Sequence, residues 1–172
     1  MMMGTRTQGR AYMETLGRRQ LLDSFVNVPD QLHSVLESID PEIVKWVPAP
    51  GEWSIRQVIF HVADGEANYY IRFRKAIAEP GGAVVAFDQN RWADSLDYPG
   101  RSVEESLNLF RMLRSLSYEL MAQLPDSAWA NTVEHSERGT LTLENLLAGA
   151  EGHVREHLKQ IEDNVKRFKS KG

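Results

Sequence analysis

Apolar residues recur every three or four positions along most of this chain, the spacing that gathers side chains on one face of an α-helix. Val103, Leu107, Phe110, Leu113, Leu120 and Leu124 make one such stripe, with Ser117 inside it. Ser102-Val103-Glu104-Glu105 at its head matches a capping box, so the spacing predicts a helix from Ser102 to about Leu124. A second box, Ser54-Ile55-Arg56-Gln57, opens a helix that should run to about Glu79, where Pro80-Gly81-Gly82 ends it. A third helix is expected from near Thr142 to about Lys169, with Leu146, Ala150, Val154, Leu158, Ile161, Val165 and Phe168 inward. Lys166, Arg167 and Lys169 suit the negative end of its dipole. Near the N-terminus, Leu32, Val35, Leu36 and Ile39 predict a helix over Pro29 to Ile39, after a short one around Leu16 to Phe25. Asp40-Pro41 should stop it, leaving EIVKWVPAPGEW as an extended loop.

Strand signals are thin. Ala83-Val84-Val85-Ala86 and Thr132-Val133-Glu134 read as short extended pieces, the second as half of a hairpin turning at Arg138-Gly139. The fold class that follows is all-α: a four-helix bundle with long crossover loops. One domain should cover residues 1–172, with 1–12 as a disordered tail. Two linkers of about 20 residues each are long for a compact domain, which points to functional loops and also permits a topology other than up-down-up-down.

Composition narrows the chemistry. With 42% hydrophobic and 26% charged residues the chain reads as an ordinary globular protein. The net charge of -4, without a basic patch, argues against nucleic acid as a partner. No apolar run reaches the roughly 18 residues of a membrane span, and MMMGTRTQGR lacks the apolar stretch of a signal peptide, so a cytoplasmic location is expected. Cysteine is absent, which leaves His, Asp and Glu to hold any metal.

His153 and His157 stand four apart on the best-defined helix, so both project from one face and can share a metal. Hydrogen bonding of either imidazole to carbonyls or water is the alternative. His153-Val154-Arg155-Glu156-His157 also reads as H-x-x-E-H, the inverted zinc-protease pattern. Only a short tail follows it, so Glu156 is better read as facing solvent or supporting a ligand histidine. Periodicity leaves His61 open. It shares a stripe with Asp64, Asn68 and Arg72 that is either a solvated face or a polar lining turned toward the histidine pair. His33 reads as a surface residue, and His135, in the loop before the last helix, could approach a site near that helix's start. Trp46, Trp53, Trp92 and Trp129 fall in loops or at helix starts, as packing residues or pocket walls.

The order of these pieces resembles the DinB-like superfamily, in particular its YfiT-type metal-dependent hydrolases. The likeness runs from about Val47 to Ile161 and is strongest in PAPGEWSIRQVIFHVAD, Pro48 to Asp64. Tyr69 to Lys75 with FDQNRW (Phe87 to Trp92), and TLTLEN (Thr140 to Asn145) leading to His153 and His157, are similar as well. The resemblance implies a metal held by His61, His153 and His157, zinc or nickel for choice, and a homodimer. It also implies hydrolysis of a small molecule, or S-transfer from a low-molecular-weight thiol. Relatives often crowd further histidines around the last pair, whereas this chain has two there.

A centre of three histidines leaves a coordination position for water or substrate. Water bound there has its pKa lowered toward about 7, and a thiol would be held as thiolate. Asp64, Glu66, Glu156 and Asp88 are candidates to orient an imidazole or accept a proton. An enzyme acting on a small molecule is the leading reading, with a non-catalytic metal- or ligand-binding bundle as the alternative and a metal-free interaction bundle as the third.

Overall fold

A computed structural model of the chain describes residues 17–171, so the expected tail and Leu16 lie outside the described residues. Four long helices make the body: α1 (Arg18–Glu37), α3 (Ile55–Ala78), α5 (Val103–Met121) and α6 (Leu143–Lys169). Two short helices, α2 (Pro41–Lys45) and α4 (Gln89–Ser95), lie in the connections. A small sheet pairs β1 (Ala83–Val84) in parallel with β2 (Thr132–His135), which pairs antiparallel with β3 (Gly139–Thr142). The turn between β2 and β3 ends at Gly139, whose φ of 68° suits a residue without a Cβ.

Specific contacts fix how the helices run. Arg18 meets Glu144 and Ser24 meets Glu151, so α1 and α6 are parallel. His61 packs on His157 and Tyr69 reaches Gly149, so α3 and α6 are antiparallel. Asp30 pairs with Arg111 while Phe25 accepts from Arg114, which makes α1 and α5 antiparallel. Phe60 clusters with Val103, Glu66 meets Arg114, and Phe73 shares a cluster with Met121, so α3 and α5 run parallel. The bundle is therefore up-down-down-up, and the α3–α5 connection must travel back the length of the molecule. That requirement explains the long linker, and the return carries residues 79–102 past the start of α3.

Three boundaries differ from the sequence expectation. The two N-terminal helices are one, because Pro29 sits inside α1 and does not break it. Proline removes the N–H that would bond the Phe25 carbonyl, and the Arg114 guanidinium donates to that carbonyl instead at 2.9 Å. The expected extended loop after Asp40 begins with α2, since Asp40 caps it by accepting from the Glu42 N–H and Pro41 takes the first helical position. The segment after Phe87 also coils into α4, capped by Asp88. The Ser54 and Thr142 boxes form in full; at Ser102 the hydroxyl accepts from the Glu105 N–H.

Two apolar clusters fill the bundle, one around Phe25, Tyr69, Phe73 and Leu147, the other around Val28, Ile59, Phe110 and Val154. Polar residues also occupy the core. The inward positions of α5 are Leu107, Phe110, Arg114, Ser117 and Met121, so a guanidinium takes a place that the apolar stripe assigned to Leu113.

Candidate metal centre

His61 is seated two turns beyond the Ser54 cap of α3, and His153 and His157 occupy successive turns of the antiparallel α6. The three imidazoles meet. Nε2 of His61 lies 2.8 Å from Nε2 of His153, which lies 3.2 Å from Nε2 of His157. Ligand atoms of all three fall within 4.8 Å of one another. Two nitrogens bound to one tetrahedral zinc at about 2.0–2.1 Å would stand about 3.3 Å apart, so the observed spacing is close to what a metal needs.

The donor set passes a second test. A neutral imidazole nitrogen carries either one proton or one lone pair, so the His153 Nε2 cannot form good hydrogen bonds with both neighbours at once. A cation between three lone pairs resolves the conflict. Burial favours the neutral rings that binding requires. The pKa of His61, 1% exposed, is pushed down to about 3 by burial and by the neighbouring His157. Burial also lowers His153 far below its ordinary value, with His157, His61, Arg114 and Arg138 adding to it. His157 is lowered by burial too, against the opposing effect of the hydrogen bond it makes to Gln160. The His157 Nδ1 lies 2.9 Å from Oε1 of Gln160, and donation there turns the Nε2 lone pair to the centre. Nδ1 of His61 is buried without a partner.

Aromatic rings close in around the centre. Trp53 packs 4.9 Å from the His61 ring and Phe87 6.2 Å from it, with Trp92 tilted against Phe87 at 4.6 Å. Trp46 and Trp129 serve packing instead, against Phe168 and beneath Arg18. A cleft of about 410 Å³ is lined by Trp53, Glu156 and Gln160 together with Glu52 and Arg167, on the Gln160 side of His157 and with none of the three histidines in its wall. Glu156 is half-buried there, and burial raises its carboxyl pKa against the opposing charge of Arg138.

The other carboxylates are committed elsewhere. Asp64 accepts a 2.5 Å hydrogen bond from Tyr98, whose pKa rises through burial and that bond. Asp88 is exposed and accepts from the backbone N–H groups of Asn90 and Arg91. Glu66 lies in the core and binds Arg114 at 2.9 Å. His33 is a surface residue beside Glu37, and His135 stands outside the cluster. Sequence reasoning passed over Gly65, Gln160 and Arg114. Of these Gly65 carried a signal, a glycine inside a helix one turn after His61; a Cβ there would lie 2.9 Å from Cε1 of His153.

A helical bundle holding three converging histidines defines a class, the four-helix-bundle proteins with a centre able to take a divalent cation. Within it the chain belongs to the DinB superfamily, whose family profile matches residues 24–161, a span that includes all three histidines. An Oceanobacillus iheyensis protein named provisionally as a metal-dependent hydrolase is 28% identical over 146 residues, covering 85% of this chain and 84% of its own. YfiT of Bacillus subtilis is 28% identical over 142 residues. Its solved structure superposes with a TM-score of 0.81 at 26% identity, covering 87% of this chain and 86% of that one. YfiT is described as a probable metal-dependent hydrolase with an unusual four-helix bundle topology. A second solved four-helix bundle protein, 21% identical with a TM-score of 0.61, shares the fold. No helix among the described residues is long and apolar enough to cross a membrane.

Proposed function

We propose that the chain is a divalent-metal-dependent enzyme acting on a small molecule, a hydrolase or a transferase using a low-molecular-weight thiol, with zinc or nickel at His61, His153 and His157. The observation that carries this reading is the convergence of three Nε2 atoms on one point. When bound, the ion supplies Lewis-acid chemistry, acidifying a water or thiol and polarising an electrophile. The protein's own residues do the rest. Gln160 orients His157, and Trp53, Phe87 and Trp92 exclude bulk water from the His61 side. Glu156, the half-buried carboxylate of the cleft, accepts the proton that the nucleophile gives up.

Elemental analysis of tag-free protein tests the first part, with one ion per chain expected and none in His61→Ala. Metal-loaded protein is then assayed on ester and amide panels, and on electrophiles with an added thiol. Glu156→Gln should keep its metal and lose about 10²–10⁴ in kcat. A Glu156→Gln variant of undiminished kcat would remove that residue from the mechanism, and a parent chain without stoichiometric metal would sink the reading as a whole.

A further inference from the structure

Helix α5 is apolar on two sides. Leu107, Phe110 and Met121 turn into the core, while Leu109, Met112 and Leu116 are 44%, 60% and 40% exposed. Their spacing of three and four residues sets these three in one row along the outside of the helix. Leu113 and Leu120, both half-buried, flank the row. A surface helix keeps a polar side for water, and one apolar on both sides is suited to being covered on both. Neither α1 nor α6 exposes a large apolar residue among the described residues, and α3, which packs beside α5, exposes Ile71.

The row fits a second copy of itself. Leu109 and Leu116 stand equally far on either side of a point between Met112 and Leu113. A two-fold axis across α5 at that point lays Leu109 of each copy on Leu116 of the other, the self-complementary contact that such symmetry requires. Charge sets the direction. Parallel pairing in register would bring Glu105 against Glu105 and Glu119 against Glu119, whereas antiparallel pairing sets Leu120 and Ser106 opposite them.

Antiparallel pairing also brings a counterion to Glu105. The Glu66–Arg114 contact sets each residue of α3 level with the one 48 positions on in α5, so Arg74 stands at the C-terminal end of α5. Its guanidinium lies 3.3 Å over the Tyr70 ring and forms no ion pair among the described residues. Glu105, exposed at the opposite end of α5, forms none either. The two-fold carries Glu105 of each copy to the end where Arg74 of the other stands. Two helices side by side, about 28 Å long and about 20 Å wide, offer roughly 560 Å² a copy, and two such faces clear the roughly 1,000 Å² of a stable interface.

We infer that two copies of this chain associate through the outer face of α5, antiparallel, with Arg74 of α3 and Glu105 paired across each end. Glu104, Glu105 and Glu119 along its edges disfavour an anionic bilayer as the occupant. None of the three histidines lies on α5, so the contact is independent of the metal reading.

Sedimentation of the full chain over a range of concentrations tests it. The parent should run at twice its chain mass of 19.6 kDa. Met112→Asp, which puts a charge at the centre of the face, should weaken association at least about 100-fold. Arg74→Glu and Glu105→Arg each set like charges opposite one another and should each weaken it at least about tenfold. An equimolar mixture of those two variants restores both ion pairs and should associate as the parent does. If Met112→Asp fails to fold, the charge pair carries the test. A parent that runs as a single chain at about 100 µM, above the micromolar limit of such interfaces, overturns the inference; binding of that monomer to lipid vesicles would give the face to a bilayer. Parent-like association of Met112→Asp, or a mixture no stronger than its two components, overturns it as well. Metal content measured on the parent and on Met112→Asp should agree, so loss of the dimer and loss of the metal reading are told apart.

Discussion

At position 65 the side chain of α3 is reduced to hydrogen, and the imidazole of His153 occupies the space where a Cβ would stand 2.9 Å from its Cε1. Glycine inside a helix costs about 1 kcal/mol relative to alanine, so Gly65 exchanges helix stability for room at the metal centre. Gly65→Ala should therefore separate folding from binding. The atom met by the new methyl belongs to the end of a side chain, so the ring can swing aside, and chemical denaturation should show stability unchanged or up to about 1 kcal/mol higher. The displaced His153 Nε2 would no longer sit between its two neighbours, and zinc affinity should fall at least tenfold. A competition titration against a chromogenic chelator reads the change; unaltered affinity would mean that His153 is not a ligand. The i, i+4 pair on α6 was legible from spacing alone. His61 was not, because its stripe fits a solvated face as well as a lining, and only antiparallel packing on α6 turns it inward.

Among the elements, α3, α5 and α6 were readable from their caps and apolar periodicity, which are local signals. The single α1 was not, since a proline inside a helix is tolerable only if something else bonds the freed carbonyl. That partner, Arg114, is 89 residues away in sequence from Phe25. Helix α4 escaped for the opposite reason: seven residues carry too little periodicity to be seen, and its one mark is the Asp88 cap. This bears on a candidate residue, because Asp88 was equally a candidate base. Asp88→Ala should cost about 1 kcal/mol of local stability and speed amide exchange in Gln89–Ser95, with the metal content intact. Turnover, once a substrate is found, should change only modestly as Phe87 and Trp92 loosen. Complete loss of kcat with normal exchange rates would reverse the assignment and make Asp88 chemical.

All four long helices meet at Arg114. Its guanidinium, fully buried, binds Glu66 of α3 at 2.9 Å and Glu151 of α6 at 2.8 Å, and donates to the carbonyls of Phe25 on α1 and Ala150 on α6. Ser24 and Arg155 complete the far side through Oε1 of Glu151. The parallel pairing of α1 with α6 and of α3 with α5 thus closes around one charge, which gives the up-down-down-up arrangement a polar contact specific to it. Arg114→Met would strand two buried carboxylates and should cost about 3–5 kcal/mol. The charge count inside the cluster has a further consequence at Glu66, where Oε1 finds no partner. Burial raises its pKa, Arg114 opposes the rise, and Glu151 on the same guanidinium reinforces it. A carboxyl whose folded pKa exceeds its unfolded value of about 4.3 contributes stability that is present below that value and lost as pH climbs through the folded one. Glutamine cannot ionise and escapes the loss. Urea unfolding of Glu66→Gln and the parent across pH 4 to 8 should therefore show their difference moving steadily in favour of the variant. A difference moving the other way would mean that Arg114 wins over burial and holds Glu66 ionised throughout, so that its negative charge is fixed and does not depend on pH.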